Sequence, residues 1–340
     1  MNTKFIFPAA TSEHKKYMVV DKQFLIMLKE TKDTKIVHFQ PEEHSAGIEY
    51  NSPETMEKMC KKIENLLRKN NCTLEFWIGN FIENDQRLHY IDQNLIKIIN
   101  WPEYLMMLSY HNYTLHHKDP EYLPVDKLYT CLNRRQNYHR SLLMREIFEN
   151  NIENYGYISF LRHTNNKSDS TRNTQLFSKK IVLDIGRGGT SQTWAPPGEY
   201  YHKSLINVIT ETSTCIPDIS EKTWFSILHK RPFMVLGYTG IHKKLREMGF
   251  ILFDSIIDYS FDEIDNDDFK VNAIIDNLKR LKDCDYQKEF NKLIPILEHN
   301  RLVFLKHISN KDNFPDLSFF NGSWIQQYKR VMQECANINV

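Results

Sequence analysis

The 340-residue chain lacks any cysteine pair at metal or redox spacing: Cys60, Cys72, Cys131, Cys215, Cys284 and Cys335 are scattered, with no CxxC. That excludes a dense disulfide framework or a zinc ribbon, and the thiols read as structural groups in a reducing compartment. Net charge is almost absent as well. Lysine plus arginine number 44 against 43 acidic residues, so no global field draws the protein to nucleic acid or an anionic membrane, and such binding needs a local patch. No apolar run approaches the roughly 18 residues of a membrane helix, and MNTKFIFPAATSEHKK returns to charge too soon for a signal peptide or an anchor. GxxxxGK[ST] and GxGxxG are missing in any usable context. The run Ile185 to Thr190, IGRGGT, reads as a glycine-rich loop over a cleft. These absences leave a soluble intracellular protein of the cytoplasm.

What remains is a globular composition, 41% apolar and 26% charged. A length-based expectation of about 150 residues per domain gives two domains. Short β-branched and aromatic runs alternate with helix-length amphipathic stretches, the pattern of an α/β protein with parallel sheets. KFIFPA, TKIVHFQ and TLEFWIGN read as strands. Between the last two, Ser52-Pro53-Glu54 opens a helix whose apolar face is Met56, Met59, Ile63, Leu66 and Leu67, which makes a βαβ unit. NYTLHHKDPEYLPVDK, residues 112–127, has no sustained period and reads as a connector. The expected domains are residues 1–125 and 126–312, with 313–340, carrying Trp324 and Tyr328, packing back across the junction.

In the second half the alternation resumes with LYTCLN, a helix from about Tyr138 to Asn150, YGYISF, and then SLINVITET. DISEKTWFSILHKRPFMVLG follows. Asp218 or Ser220 caps a helix starting near Glu221, with Trp224, Ile227 and Leu228 buried, Arg231-Pro232 ending it and PFMVLG as the next strand. Ligands of open α/β sheets sit beyond the carboxyl ends of strands, where helix N-termini bind phosphate. Lys222 adds a cation there, and Glu221 can accept from ribose hydroxyls. The same stretch also fits a capped surface helix with a solvated Glu-Lys pair. A second cluster, CLNRRQNYHRSLLMREI, brings Arg134, Arg135, His139 and Arg140 to a strand-to-helix turn. Guanidinium groups are misplaced at a helix N-terminus unless an anion is shared, so either a diphosphate or a basic surface turn explains them. His111, His116 and His117 offer no third spaced ligand, and no metal is expected. Candidate bases follow the early strands: Glu42, Glu43 and His44, then Glu83 and Asp85.

The order NRR…HR, TETS, SEKTW, with a strand ending in glycine, resembles the donor half of GT-B glycosyltransferases. The likeness is to the α1,3-fucosyltransferase type and related phage-encoded proteins, and covers about Leu128 to Asp262. The resemblance implies two Rossmann-like domains facing across a cleft, with a nucleotide diphosphate sugar as co-substrate, no further cofactor and no metal. It implies that Glu221 holds the ribose, Lys222 the diphosphate, and Arg135 or Arg140 neutralises it. Thr212 stands where the family has a donor-contacting Asn, and Asp218 replaces an aromatic residue, so the base and sugar are left open. Glu43 or Asp85 of the first domain would be the catalytic base. The acceptor is a hydroxymethylated base in viral DNA, acted on in the host cytoplasm, or a glycan or small hydroxyl compound. A nucleotide-binding protein without activity on the same fold is the remaining alternative.

Overall fold

The described residues of this computed structural model are 2–6, 22–40, 53–78, 91–116, 122–133, 136–160, 176–177, 179–183, 199–214, 217, 219–310 and 323–337. Residue contacts divide the chain into two compact units, residues 1–105 with 312–329 and residues 106–311 with 330–340. Each carries a parallel sheet, as the alternating pattern predicts.

The first unit runs β1 (Asn2–Ile6), α1 (Lys22–Glu30), β2 (Thr34–Gln40), α2 (Pro53–Lys69), β3 (Thr73–Ile78) and β4 (Ile96–Asn100). Its strands pair in the order β1-β2-β3-β4. Leu28, Ile36, Ile63, Leu67, Leu74 and Ile96 form its core, so the apolar stripe of α2 and the alternate residues of the strands meet as the βαβ reading requires. Helix α3 (Glu103–His116) follows. Its last turns cover residues 112–116, which read as connector, and the expected division after residue 125 falls inside the second unit. The reason is tertiary. Tyr113 is buried and meets the His229 ring edge-on at 5.0 Å, and such packing overrides a weak local period.

The second unit runs β5 (Lys127–Asn133), α4 (Tyr138–Glu149), β6 (Gly156–Phe160), β7 (Ser204–Thr210), α5 (Glu221–Leu228), β8 (Phe233–Leu236) and α6 (Ile241–Glu247). Two longer helices, α7 (Asp267–Leu281) and α8 (Tyr286–Ser309), complete it, and α9 (Ser323–Ala336) ends the described chain. The strand order is β6-β5-β7-β8, all parallel. The chain therefore steps outward from β5 to β6, then returns past β5 to β7 and β8. This reversal makes the β5/β7 pair the switch point, with the crevice at its carboxyl end. Every residue of β7 and β8 is buried, which requires cover on both faces; α4 packs with α7, and α5 with α8, to supply it.

Asparagine does much of the local work in this chain. Helices α2, α4, α5 and α6 end in the same turn, with Asn71, Asn151, Lys230 and Gly249 at positive φ and the following N–H bonded back to the helix. The apolar run Ile251–Phe253 forms no strand, because Asn300 of α8 takes a strand partner's place. Its Oδ1 accepts from the Ile251 N–H at 2.8 Å and its Nδ2 donates to the Ile251 carbonyl at 2.8 Å. Asn277 of α7 clamps Asp258 in the same way.

Candidate ligand site at the carboxyl edge of the second sheet

Strand β5 ends at Asn133, which is 1% exposed and whose side-chain oxygen accepts from the Thr210 hydroxyl at the end of β7. Asn137 occupies the N-cap of α4 but makes no capping bond. Its Nδ2 instead donates to the Thr212 carbonyl at 2.8 Å. From the first turn of α4, Arg140 Nη2 donates to the carbonyls of Thr210 at 3.1 Å and Glu211 at 2.9 Å. His139 Nε2 lies 2.9 Å from the same Glu211 oxygen. A carbonyl only accepts, so His139 carries its proton on Nε2. Burial, then the Arg140 charge, holds its pKa down to about 3, and the ring is neutral at pH 7. The turn that the sequence marks as basic is therefore fastened onto the end of β7.

Glu211 extends the connection. It is 2% exposed, and its Oε1 accepts from the Ser220 N–H at 3.1 Å and the Thr223 hydroxyl at 3.0 Å. Its Oε2 is buried and has no hydrogen-bond partner among the described residues. Gly237, the glycine that closes β8, makes room for it: a Cβ there would lie 3.2 Å from Glu211 Cγ and 3.1 Å from Ile241 Cδ1. Ser220, one of the two candidate caps, occupies the N-cap of α5, with its Oγ accepting from the Lys222 N–H. Lys222 Nζ donates to Ser220 Oγ at 3.1 Å and to Glu221 Oε1 at 2.9 Å. An unbroken hydrogen-bonded chain thus runs from His139 and Arg140 through Glu211 and Ser220 to Lys222 and Glu221.

Beside it, the ammonium of Lys270 of α7, 2% exposed, donates to the Gly237 carbonyl at 2.9 Å and the Thr239 hydroxyl at 3.3 Å. Asp262 supplies the N-terminal bonds that Gly240 cannot give α6, accepting from His242 N at 3.1 Å and Lys243 N at 2.9 Å. His242 Nδ1 donates to Asp262 at 2.8 Å while its Nε2 accepts from the Val235 N–H at 3.1 Å, which fixes the neutral tautomer. Burial opposes the Asp262 charge, yet the bonds from His242 and Lys243 hold its carboxyl below the ordinary value.

Of the residues singled out from sequence, Arg140, Thr212, Glu221 and Lys222 come to this edge. Arg140 is 4% exposed, and its guanidinium serves strand carbonyls. Glu221 and Lys222, given separate roles from sequence, are bonded to each other. Arg135, Asp218, Glu43 and Asp85 lie outside the described residues. Sequence reasoning passed over Glu211, Lys270, Asn133 and Asn137. Glu211 sits in the TETS motif, but nothing in one sequence says that its carboxylate is buried. Among the described residues, no group of three or more His, Cys, Asp or Glu side chains gathers as a metal site, and no helix is long and apolar enough to cross a membrane.

The reversal of strand order defines an open, doubly wound α/β unit, and the polar chain lies at its carboxyl edge, the side on which such sheets hold ligands. Among solved structures, the chain is similar to a DNA modifying enzyme, β-glucosyltransferase, described with its substrate uridine diphosphoglucose. The identity is 11% over 91% of this chain and 76% of that one, with a TM-score of 0.38. It is also similar to an α1,3-fucosyltransferase, at 12% identity over 94% of this chain and 93% of that one, with a TM-score of 0.37. No protein-family model and no curated protein matches the sequence.

Proposed function

We propose that this chain is a glycosyltransferase that moves a sugar from a nucleotide diphosphate sugar to an acceptor hydroxyl, with the donor at the carboxyl edge of the second sheet. The observation that carries this reading is the hydrogen-bonded chain from Arg140 to Glu221, which contains an unused acceptor and has a cation at its end. The acceptor is Glu211 Oε2, buried and unpartnered among the described residues, which suits a ligand hydroxyl. The cation is Lys222 at the mouth of α5, about one-third exposed and able to turn from Glu221 to a phosphate. The motif order in the sequence supports the same assignment.

In this scheme the acceptor oxygen bonds to the anomeric carbon as the bond from that carbon to the diphosphate breaks. The acceptor's proton passes to a carboxylate of the first half, Glu43 or Asp85, and the diphosphate leaves with the bonding pair. Lys222, with Arg135, meets the charge that develops on it, so the scheme calls for no metal. Arg140 is a positioning residue, holding the end of β7 so that Glu211 and Thr212 face the crevice, and Glu221 takes the ribose. The acceptor is a hydroxymethylated base in DNA or a glycan.

The test is a stability screen with UDP, GDP, CDP and their sugars, since a ligand of the folded state raises the unfolding midpoint. One nucleotide is expected to stand out, and its sugar to be transferred to hydroxymethylated DNA or to a glycan acceptor. No shift with any nucleotide, together with no turnover of any donor, would sink the proposal.

A further inference from the structure

The first half of the chain is close to neutral, with 14 Lys and Arg against 15 Asp and Glu in residues 1–105, yet its charge is unevenly placed. On α2, the exposed residues from Lys58 to Lys69, among those described, are Lys58, Lys61, Lys62, Asn65, Arg68 and Lys69. Five are cations and none is an acid. The carboxylates nearby are half-buried at the flanks. Glu57 accepts from Lys61, Asp92 accepts from Arg68, and Glu64 Oε1 is taken by the Asp92 N–H at 2.7 Å. Cys60, Ile63 and Leu67, on the opposite stripe, are buried.

Solvation alone does not select this pattern. Lys58 stands three residues from Lys61 and four from Lys62, spacings at which like charges oppose a helix and an acid would support it. Arg68 and Lys69 complement the dipole in the last turn, but Lys58, Lys61 and Lys62 stand mid-helix, where the dipole asks for nothing. Helix α7, by contrast, exposes Asp268 and Asp276 with Lys279 and Arg280, two charges of each sign. The outer face of α2 is the kind of local patch that a chain without a global field needs in order to meet a polyanion.

We propose that the outer face of α2 docks on the phosphate backbone of double-stranded DNA. From Lys58 to Lys69 it runs about 16 Å, a length over which one strand of a duplex carries about five phosphates. The side chains of Lys62 and Lys69 make no ion pair among the described residues, and the exposed Lys61 and Arg68 exchange their carboxylates for phosphates at little cost. Among the described residues of this stretch no aromatic side chain is exposed, so it offers no platform for the bases of a single strand. Its apolar stripe is committed to the core, which leaves nothing to insert into a bilayer. Contact through phosphates alone holds a duplex without reading its sequence. The choice of DNA over another polyanion rests on the proposed function, which names DNA as an acceptor, and the face favours that acceptor over a glycan.

The test titrates the full chain with a fluorescent duplex of about 30 base pairs of ordinary DNA, at salt from about 50 to about 200 mM. Five phosphate contacts make the wild-type affinity fall about 500-fold over that range. Lys62→Ala combined with Lys69→Ala leaves three contacts, so it should bind more weakly at low salt and lose only about 40-fold. Both side chains are exposed and bond to no described group, so the double variant should unfold in urea as the wild type does. Lys288→Ala with Lys292→Ala, on the exposed side of α8, is the control and should bind as wild type. No binding at the lowest salt, an unchanged affinity and salt dependence in the double variant, or tighter binding to single strands or to phosphatidylserine vesicles would overturn the proposal. The nucleotide screen separates the two readings. A nucleotide shift without duplex binding sinks only the α2 face, and duplex binding lost in the double variant without any nucleotide shift upholds that face while sinking the transferase.

Discussion

At the carboxyl edge of the second sheet Arg140 is buried and bonded to two strand carbonyls, whereas at the amino edge Arg231 is buried and bonded to no described group. The same side chain, within one unit, is a fastener at one edge and an unbonded insert at the other. The difference lies in what the strand ends offer. Beyond β7 the last carbonyls point out of the ladder and need donors, and the first turn of α4 supplies them. Before β8, the turn that closes α5 bonds its N–H groups back to the helix, and no described group bonds the guanidinium. A buried cation of the first kind ties a strand end to a helix, and one of the second kind is held by packing without a described bond.

The largest expected effect comes from the amino edge and tests its packing. Gly156, at the start of β6, faces Tyr129 so closely that an added Cβ would lie 2.3 Å from the ring. Gly156→Ala should therefore cost about 3 kcal/mol in urea unfolding, and a loss below about 1 kcal/mol would show that the ring can move aside.

The two arginines give the sharpest contrast. Arg140→Met takes the side-chain donor from the Thr210 carbonyl, leaves the Glu211 carbonyl to His139 alone, and should cost about 2–3 kcal/mol. Arg231→Met should leave stability unchanged or raised, because it removes a buried charge and no described bond. Equal losses for the two variants would erase the distinction between fastener and insert.

Next is pH. His139 titrates near 3 in the fold and near 6.5 in the unfolded chain, so below about pH 6.5 the unfolded state binds a proton that the fold refuses. Its stabilisation is complete above the unfolded value and is lost as pH falls toward the folded one, by up to about 1.4 kcal/mol per pH unit. Burial lowers the His242 pKa in the same direction. His139→Gln, which keeps a donor for the Glu211 carbonyl, should flatten the stability profile between about pH 6 and 4.5 by one proton. Superimposable profiles would mean that His139 protonates without opening the carboxyl edge.

The smallest effect concerns the ligand itself. Lys222→Ala should weaken binding of the preferred nucleoside diphosphate about tenfold, or about 1.4 kcal/mol, while stability moves by less than about 0.5 kcal/mol. Calorimetric titration would show it, and an unchanged affinity would remove Lys222 from the phosphate assignment.

Much of the second unit is legible in the sequence. SLINVIT and FMVL read as strands because they are short, apolar and bounded by turns, and Ser220, Glu221 and Trp224 announce the start and buried face of α5. β4 escaped notice because IKIIN is only five residues long, and α1 because its stripe is only nine. Ile251–Phe253 has a strand's composition but pairs with Asn300, a partner 49 residues away that no local pattern reveals.

The sequence by itself determined the parallel α/β class and most element positions in the second unit, because period, caps and turn residues are local properties. Only the tertiary structure decided that α3 from Met106 onward groups with the second unit, that Glu211 is buried with its Oε2 unbonded among the described residues while Arg140 serves strand carbonyls, and that Arg231 is enclosed with no hydrogen-bond partner among the described residues. Those facts depend on which distant carbonyls and rings come within hydrogen-bonding distance, and chain neighbours do not encode that.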